Sequence, residues 1–192
     1  MPVNPISYLL ITLQVTAAAI APTLANLLAV IARVEIIFKG TTVWGGSLAD
    51  LWRISYKLWG QGGHVVRFNQ VAANLTRITI PIPFTRVPFW MEEAWPSTRF
   101  GELQLRLTYA AAFTNLTLPV ETVTSVQLLD ANPSRFIRVT TVFDQAVAIG
   151  DRAQVDLPIG NPILGVLIFG TTVPDGAMTS TVRRLRLLVD NV

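Results

Sequence analysis

Leu103, Leu105, Leu107 and Tyr109 alternate with Gln104, Arg106 and Thr108. A two-residue period places the four apolar side chains on one face and the polar ones on the other; that is a half-buried strand, and a helix cannot reproduce it. The same period recurs in Val34, Ile36 and Phe38, and in Ile78, Ile80, Ile82 and Phe84. In the last case Pro81 and Pro83 occupy the other face. Prolines cannot donate to a ladder, so this strand is predicted at a sheet edge or with irregular pairing. Further strands are predicted near 64–69, 121–129, 135–143, 152–157, 163–170 and 181–189. In the last, Leu185, Leu187 and Val189 face inward, and Arg184 and Arg186 outward. Asn132-Pro133, Gly150-Asp151, Gly160-Asn161-Pro162 and Pro174-Asp175-Gly176 punctuate these runs as turns. Short strands at close spacing, rich in Thr, Val and Ile, point to an all-β sandwich or barrel and away from βαβ units.

One segment of the body breaks the two-residue period. Ser47 and Asp50 have capping-box spacing, with Asp in place of Glu. Leu48, Leu51, Trp52, Ser55 and Leu58 then share a helical face, until Gly60, Gly62 and Gly63 stop it. A short helix is therefore predicted after the first body strand.

The first 32 residues carry no charged side chain. As a helix, the run Ile6–Ala32 would reach roughly 40 Å, enough to cross a bilayer core. Three readings share it. A signal peptide should open with positive charge, which this segment lacks. A membrane span is interrupted by Gln14, Asn26 and Pro22. The favoured reading is an apolar N-terminal arm, residues 1–32, packed on the domain (residues 33–192) or on a neighbour. Within it, Pro22 suits a first helical turn, and Leu24, Leu27, Leu28 and Ile31 fall on one helical face.

Composition constrains what such a chain can do. Hydrophobic residues make up 51% of it and charged residues only 14%, against about 25% charged in ordinary soluble domains. Mean hydropathy is +0.48. A lone molecule this apolar would leave sticky surface in water, which points to association with other subunits, a membrane, or both. The net charge of +3 is mild, and the arginines are scattered apart from Arg183, Arg184 and Arg186, so no sequence-specific nucleic-acid surface is expected. All but Lys39 and Lys57 of the 15 basic residues are arginine, suited to bidentate contacts between subunits. Absence of cysteine excludes disulfides and thiolate metal ligands.

No catalytic constellation is legible, and no enzyme, metal, cofactor or small-molecule substrate is expected. His64 is the sole histidine, and no Gly-x-Ser-x-Gly elbow or phosphate-cradling glycine loop is present. Glu92 and Glu93 are adjacent, so on an extended chain they point opposite ways and suit paired acid–base chemistry poorly. They lie in an aromatic stretch, Phe89-Trp90-Met91 to Trp95, which reads as an interface or core element. A sugar-stacking platform of Trp90 and Trp95 is an alternative.

An apolar arm, a strand Arg33–Val43, a Gly-Gly turn, the capped helix Ser47–Trp59, the Ile-Pro-Ile-Pro-Phe strand at 80–84 and a train of sandwich strands follow in that order. This order resembles the vertical single jelly-roll major capsid proteins of membrane-containing icosahedral dsDNA viruses, the tectivirus–adenovirus lineage. The branch it looks like is that of thermophilic archaeal or bacterial viruses. The resemblance covers roughly residues 33–189 and is one of architecture, without a signature motif. It implies an eight-stranded jelly roll that self-assembles into capsomers of a virion shell over an internal viral membrane. The implied partners are copies of itself, with a second capsid protein left open. Candidate inter-subunit or membrane contacts are Leu9, Leu10, Leu13, Leu24, Leu27, Leu28, Ile31, Phe89, Trp90, Trp95, Arg184 and Arg186. The rivals are a carbohydrate-binding β-sandwich and a membrane-anchored β domain with residues 6–32 as its span.

Overall fold

Residues 6–17, expected in the arm, form the first strand. In the computed structural model β1 spans Ile6–Ala17, and Leu9, Ile11, Leu13, Val15 and Ala17 are buried while Tyr8, Leu10, Thr12, Gln14 and Thr16 are half-buried. The outward face carries no charge, so the two-residue alternation is faint in hydropathy. β-branched Ile11, Thr12, Val15 and Thr16 nonetheless fit a pleated, half-buried surface. Residues 4–18, 22–60, 65–67, 75–96, 103–142, 145, 154–157, 160, 162–168 and 186 are described in the structure.

The apolar helix expected after Pro22 shrinks to α1, Leu24–Leu28, with Thr23 as N-cap and Asn26 closing the capping box. Leu27 is buried, and Leu24 and Leu28 pack against the core. Ile31 leaves the helical face and opens β2, Ile31–Phe38. The single strand expected over Arg33–Val43 is a hairpin, with β3 at Thr41–Gly46. Lys39 and Gly40 both take positive φ, 49° and 78°. Two consecutive left-handed residues make the type I′ turn whose twist suits a two-residue hairpin. The Gly45-Gly46 pair read as a turn lies inside β3.

The capped helix stands as expected. α2 covers Leu48–Trp59, Ser47 Oγ accepts from the Asp50 backbone N–H at 3.1 Å, and Asp50 returns the bond to the Ser47 backbone. Leu48, Leu51 and Ile54 are buried, and the helix packs against β2 and the later strand β5.

β4 (Val65–Arg67), β5 (Leu75–Pro83), β6 (Leu103–Tyr109) and β7 (Leu116–Gln127) complete two antiparallel sheets among the described residues, in the orders β4-β5-β1-β7 and β3-β2-β6. The arrangement is sandwich-like: Ile11, Leu13, Ile78 and Ile80 from one sheet meet Val34, Ile36 and Trp44 from the other, with Leu48 and Leu51 of α2, in one apolar cluster. β5 pairs with β4 at Arg77, Ile78 and Thr79; among the described residues Pro81 and Pro83 lie beyond that pairing and oppose Leu10 and Tyr8 of β1. Phe84 N–H donates to the Ser7 carbonyl of β1, so the alternate positions 81 and 83 turn away from β1 and cost that ladder no donor. In β7 the register against β1 shifts between Thr16 and Gln14, where Leu118 and Pro119 oppose Val15. A bulge there spares the ladder a donor that proline lacks.

Other expectations change. The strand expected over 135–143 is, through residue 142, irregular chain with parallel bridges at Arg135 and Val139. Residues 154–157 carry no strand, and those of 152–157 that remain lie outside the described residues. Two compact units are present, residues 1–158 and 159–192, so the expected boundary between 32 and 33 falls inside the first. It does so because β1 is paired on both sides. In the second unit, residues 160, 162–168 and 186 are exposed and carry no helix or strand.

Candidate functional site

The loop 84–96 leaves β5 and is tied down on three sides. Phe84 N–H donates to the Ser7 carbonyl at 3.1 Å, and Trp95 and Ile6 exchange backbone bonds of 2.8 and 2.9 Å. Ile137 N–H reaches the Phe84 carbonyl at 2.9 Å, and Ala94 N–H the Arg135 carbonyl at 3.1 Å. Trp59 of α2 donates its indole N–H to the Thr85 carbonyl at 3.1 Å.

Beneath the loop sits Trp95, fully buried. Its ring contacts Phe38, Phe84 and Phe136 at centroid separations of 5.1, 5.6 and 4.4 Å. Aromatic pairs at such tilted or edge geometries contribute beyond their buried area, so this ring anchors the loop.

Among the described residues Glu93 is the one acidic side chain that is buried, at 4% exposure. Its Oε2 accepts from the Arg86 backbone N–H at 3.1 Å, and Oε1 accepts from Arg86 Nε at 2.8 Å and forms an ion pair with Arg135 Nε at 3.1 Å. Burial alone pushes the Glu93 carboxyl upward, but the Arg86 side-chain and backbone hydrogen bonds and the charges of Arg86 and Arg135 outweigh it and hold it below its ordinary value. The same bond to Glu93 raises Arg86. Glu92 points out and lies 3.7 Å from Arg135. The two neighbouring carboxylates therefore diverge, one buried and one exposed.

Both guanidiniums then stack on Trp90, Arg86 at 4.8 Å and Arg135 at 5.5 Å from its ring centroid. Cations over an indole face are attracted by the ring quadrupole. Trp90 is thereby held in place by arginines that a single buried carboxylate orients.

The tip is a tight turn. Trp90 N–H donates to the Val87 carbonyl at 3.3 Å across Pro88 and Phe89. Phe89 has φ +65°. Proline at the second place and positive φ at the third define a type II turn, whose third place belongs by preference to glycine. A bulky side chain there costs about 1–2 kcal/mol. The Phe89 N–H donates to the hydroxyl of fully buried Ser7 at 3.1 Å, and its ring meets the edge of Tyr8 at 5.7 Å. Tyr8 in turn packs on Trp59 at 5.0 Å. Val87, Phe89 and Met91 are 55%, 60% and 52% exposed.

The expected contact residues divide. Leu9, Leu13, Leu27, Ile31 and Trp95 are buried in the chain's own core and are not on its surface; the reason is the strand pairing of residues 6–17 and the aromatic cluster under the loop. Leu10, Leu24, Leu28 and Trp90 are half-buried, and Phe89 is exposed. Arg186 is exposed, while Arg184 and His64 lie outside the described residues. The sugar platform loses its second ring, because Trp95 is enclosed and only Trp90 reaches solvent. The single span over residues 6–32 is replaced by β1, α1 and the start of β2; among the described residues no helix is long and apolar enough to cross a membrane. Ser7, Arg86, Glu93 and Arg135 were not singled out as contacts. Glu93 was visible as half of an acidic pair, whereas nothing local connects Arg135 to a loop so distant in sequence.

Comparison with known proteins gives no match to a family model, a curated protein or a solved structure.

Proposed function

We propose that this chain is a structural subunit whose work is association with copies of itself: a jelly-roll capsid protein that forms capsomers of an icosahedral shell over an internal membrane. The jelly roll would extend the two observed sheets to eight strands. What carries the reading is apolar side chain left in water at defined places. Leu75, Val120 and Leu129 are 56%, 58% and 68% exposed, in addition to Val87, Phe89 and Met91. A chain with 14% charged residues has few charges with which to surround them.

Burying apolar surface returns about 25 cal/mol per Å², and a standard interface buries roughly 1,600 Å². Low charge density limits repulsion between closely packed copies. Function on this account is differential burial, with no reacting group required.

Sedimentation velocity with negative-stain microscopy of the purified full chain tests it. Discrete oligomers that build into capsomers or closed shells are expected. A single well-behaved monomer at the highest soluble concentration, with nothing bound, overturns the proposal.

A further inference from the structure

We infer that the turn Val87–Met91 is a preorganised docking knob, with Phe89 at its apex, and that its occupant is an apolar surface of a second copy of this chain. The inference rests on the assembly reading above and deepens it by naming the contact.

The geometry of Phe89 is the starting observation. The turn needs a residue with positive φ, which glycine adopts freely, yet the position carries a phenyl ring that is mostly in water. Within the fold the ring meets the edge of Tyr8, yet the residue is left 60% exposed, more display than that one contact requires. Strain that is retained by surrounding structure, at a place that displays a side chain, points to use of the display.

The surroundings over-determine the conformation. The Ser7 hydroxyl, itself fully buried, accepts the Phe89 N–H, and Pro88 fixes the preceding φ. Trp90 packs against the guanidiniums of Arg86 and Arg135, and both are oriented by buried Glu93. A knob held this way loses little freedom when it docks, which is how preorganisation raises affinity. Aromatic side chains with arginine beside them are also the usual composition of interface hot spots.

Charge selects the partner. The two guanidiniums beside the tip are tied to Glu92 and Glu93, so two positive charges meet two negative ones. A neutral tip has no field to draw it to anionic lipid or to nucleic acid. A fixed convex shape matters to a packed protein surface and little to fluid lipid. The chain itself presents apolar surface for such a tip at Leu75, Val120 and Leu129.

The test compares the full chain with Phe89→Gly and Phe89→Asp by sedimentation, alongside circular dichroism and thermal unfolding. Phe89→Gly removes the ring and relieves the turn, so it should fold with an unchanged or higher midpoint, yet self-associate about tenfold more weakly. Phe89→Asp should weaken association further. As a second measurement that needs no deletion of the ring position, a benzophenone amino acid at position 89 should give cross-links of twice the subunit mass. If the parent chain assembles and both variants assemble equally well, or if no chain-to-chain cross-link forms, the knob is refuted while the assembly reading stands. A parent chain that is monomeric throughout refutes both. Phe89-dependent sedimentation with phosphatidylcholine–phosphatidylglycerol vesicles, without self-association, also overturns the inference by making lipid the occupant.

Discussion

Ile11→Ala and Leu10→Ala together test the placement of residues 6–17. The two side chains are neighbours in sequence and nearly equal in volume, but β1 points them to opposite faces. Ile11 is 1% exposed, with Ile80 and Val123 beside it on the flanking strands. Leu10 is half-buried on the outer face, opposite Pro81 and Thr124. Truncating Ile11 forfeits the transfer free energy of three carbons, roughly 2.4 kcal/mol, and leaves a cavity in a two-sided core, for a total of about 3–4 kcal/mol. Truncating Leu10 removes partly solvated atoms and should cost about 1 kcal/mol or less. With a urea slope near ~2 kcal/mol/M, the midpoints should differ by about 1–1.5 M. Urea unfolding followed by tryptophan fluorescence, at one protein concentration for all chains so that concentration-dependent effects are equal, reads this directly. A detached arm would respond weakly to both changes, and a helix would not separate positions 10 and 11 so sharply. Equal effects of the two substitutions, or a loss below about 1 kcal/mol for Ile11→Ala, would refute the strand.

Glu93→Gln should cost roughly 2 kcal/mol at neutral pH, because a buried carboxylate that accepts two N–H groups of Arg86 and pairs with Arg135 is replaced by a neutral amide that cannot match them. The Glu93 carboxyl lies below its ordinary 4.5 in the fold. Its contribution is therefore present above pH about 4.5 and lost as pH falls through the lowered value, so parent and variant should converge in acid when unfolding is followed against pH. Burial, then the hydrogen bond and charge of Glu121, pushes the Tyr109 hydroxyl up to about 12 from 10.0. The stability it confers is present below pH 10.0 and lost as pH rises toward 12; Tyr109→Phe should flatten that alkaline limb and remove the phenolate absorbance that grows in near pH 12. Ser47→Ala removes the N-cap of α2 and should lower stability by about 1 kcal/mol in urea melts, whereas Ser47→Asp should retain most of it.

Much of the local structure was legible because single segments carry their own instructions. The capping box at Ser47 and Asp50 marks the start of α2, and the alternation from Leu103 to Tyr109 marks β6. The prolines at 81 and 83 predict irregular pairing, and among the described residues they lie beyond the stretch of β5 that pairs with β4. The stretch 87–96 was recognisable as aromatic, but its letters name Phe89, Trp90 and Trp95 alike as candidate contacts, and of the three Trp95 is buried, Trp90 half-buried and Phe89 exposed. The error at residues 6–17 has a physical source: an uncharged outer face gives little hydropathy contrast, so a strand and an apolar arm look alike. The hairpin at Lys39-Gly40 was missed because its first left-handed residue is lysine, where asparagine or glycine is the usual signal.

What the chain's own letters determined, then, is the mostly-β character, the capped helix and the excess of apolar side chain over charge. These follow from period, cap chemistry and composition, all of which act over a few residues or over the whole chain at once. Only the tertiary structure decided that residues 6–17 stand between β5 and β7, that Trp95 is enclosed while Phe89 is displayed, and that Glu93 gathers Arg86 and Arg135 around Trp90. Those outcomes depend on pairing and packing between segments distant in sequence, where the free energy of one side chain is set by neighbours that no local pattern names.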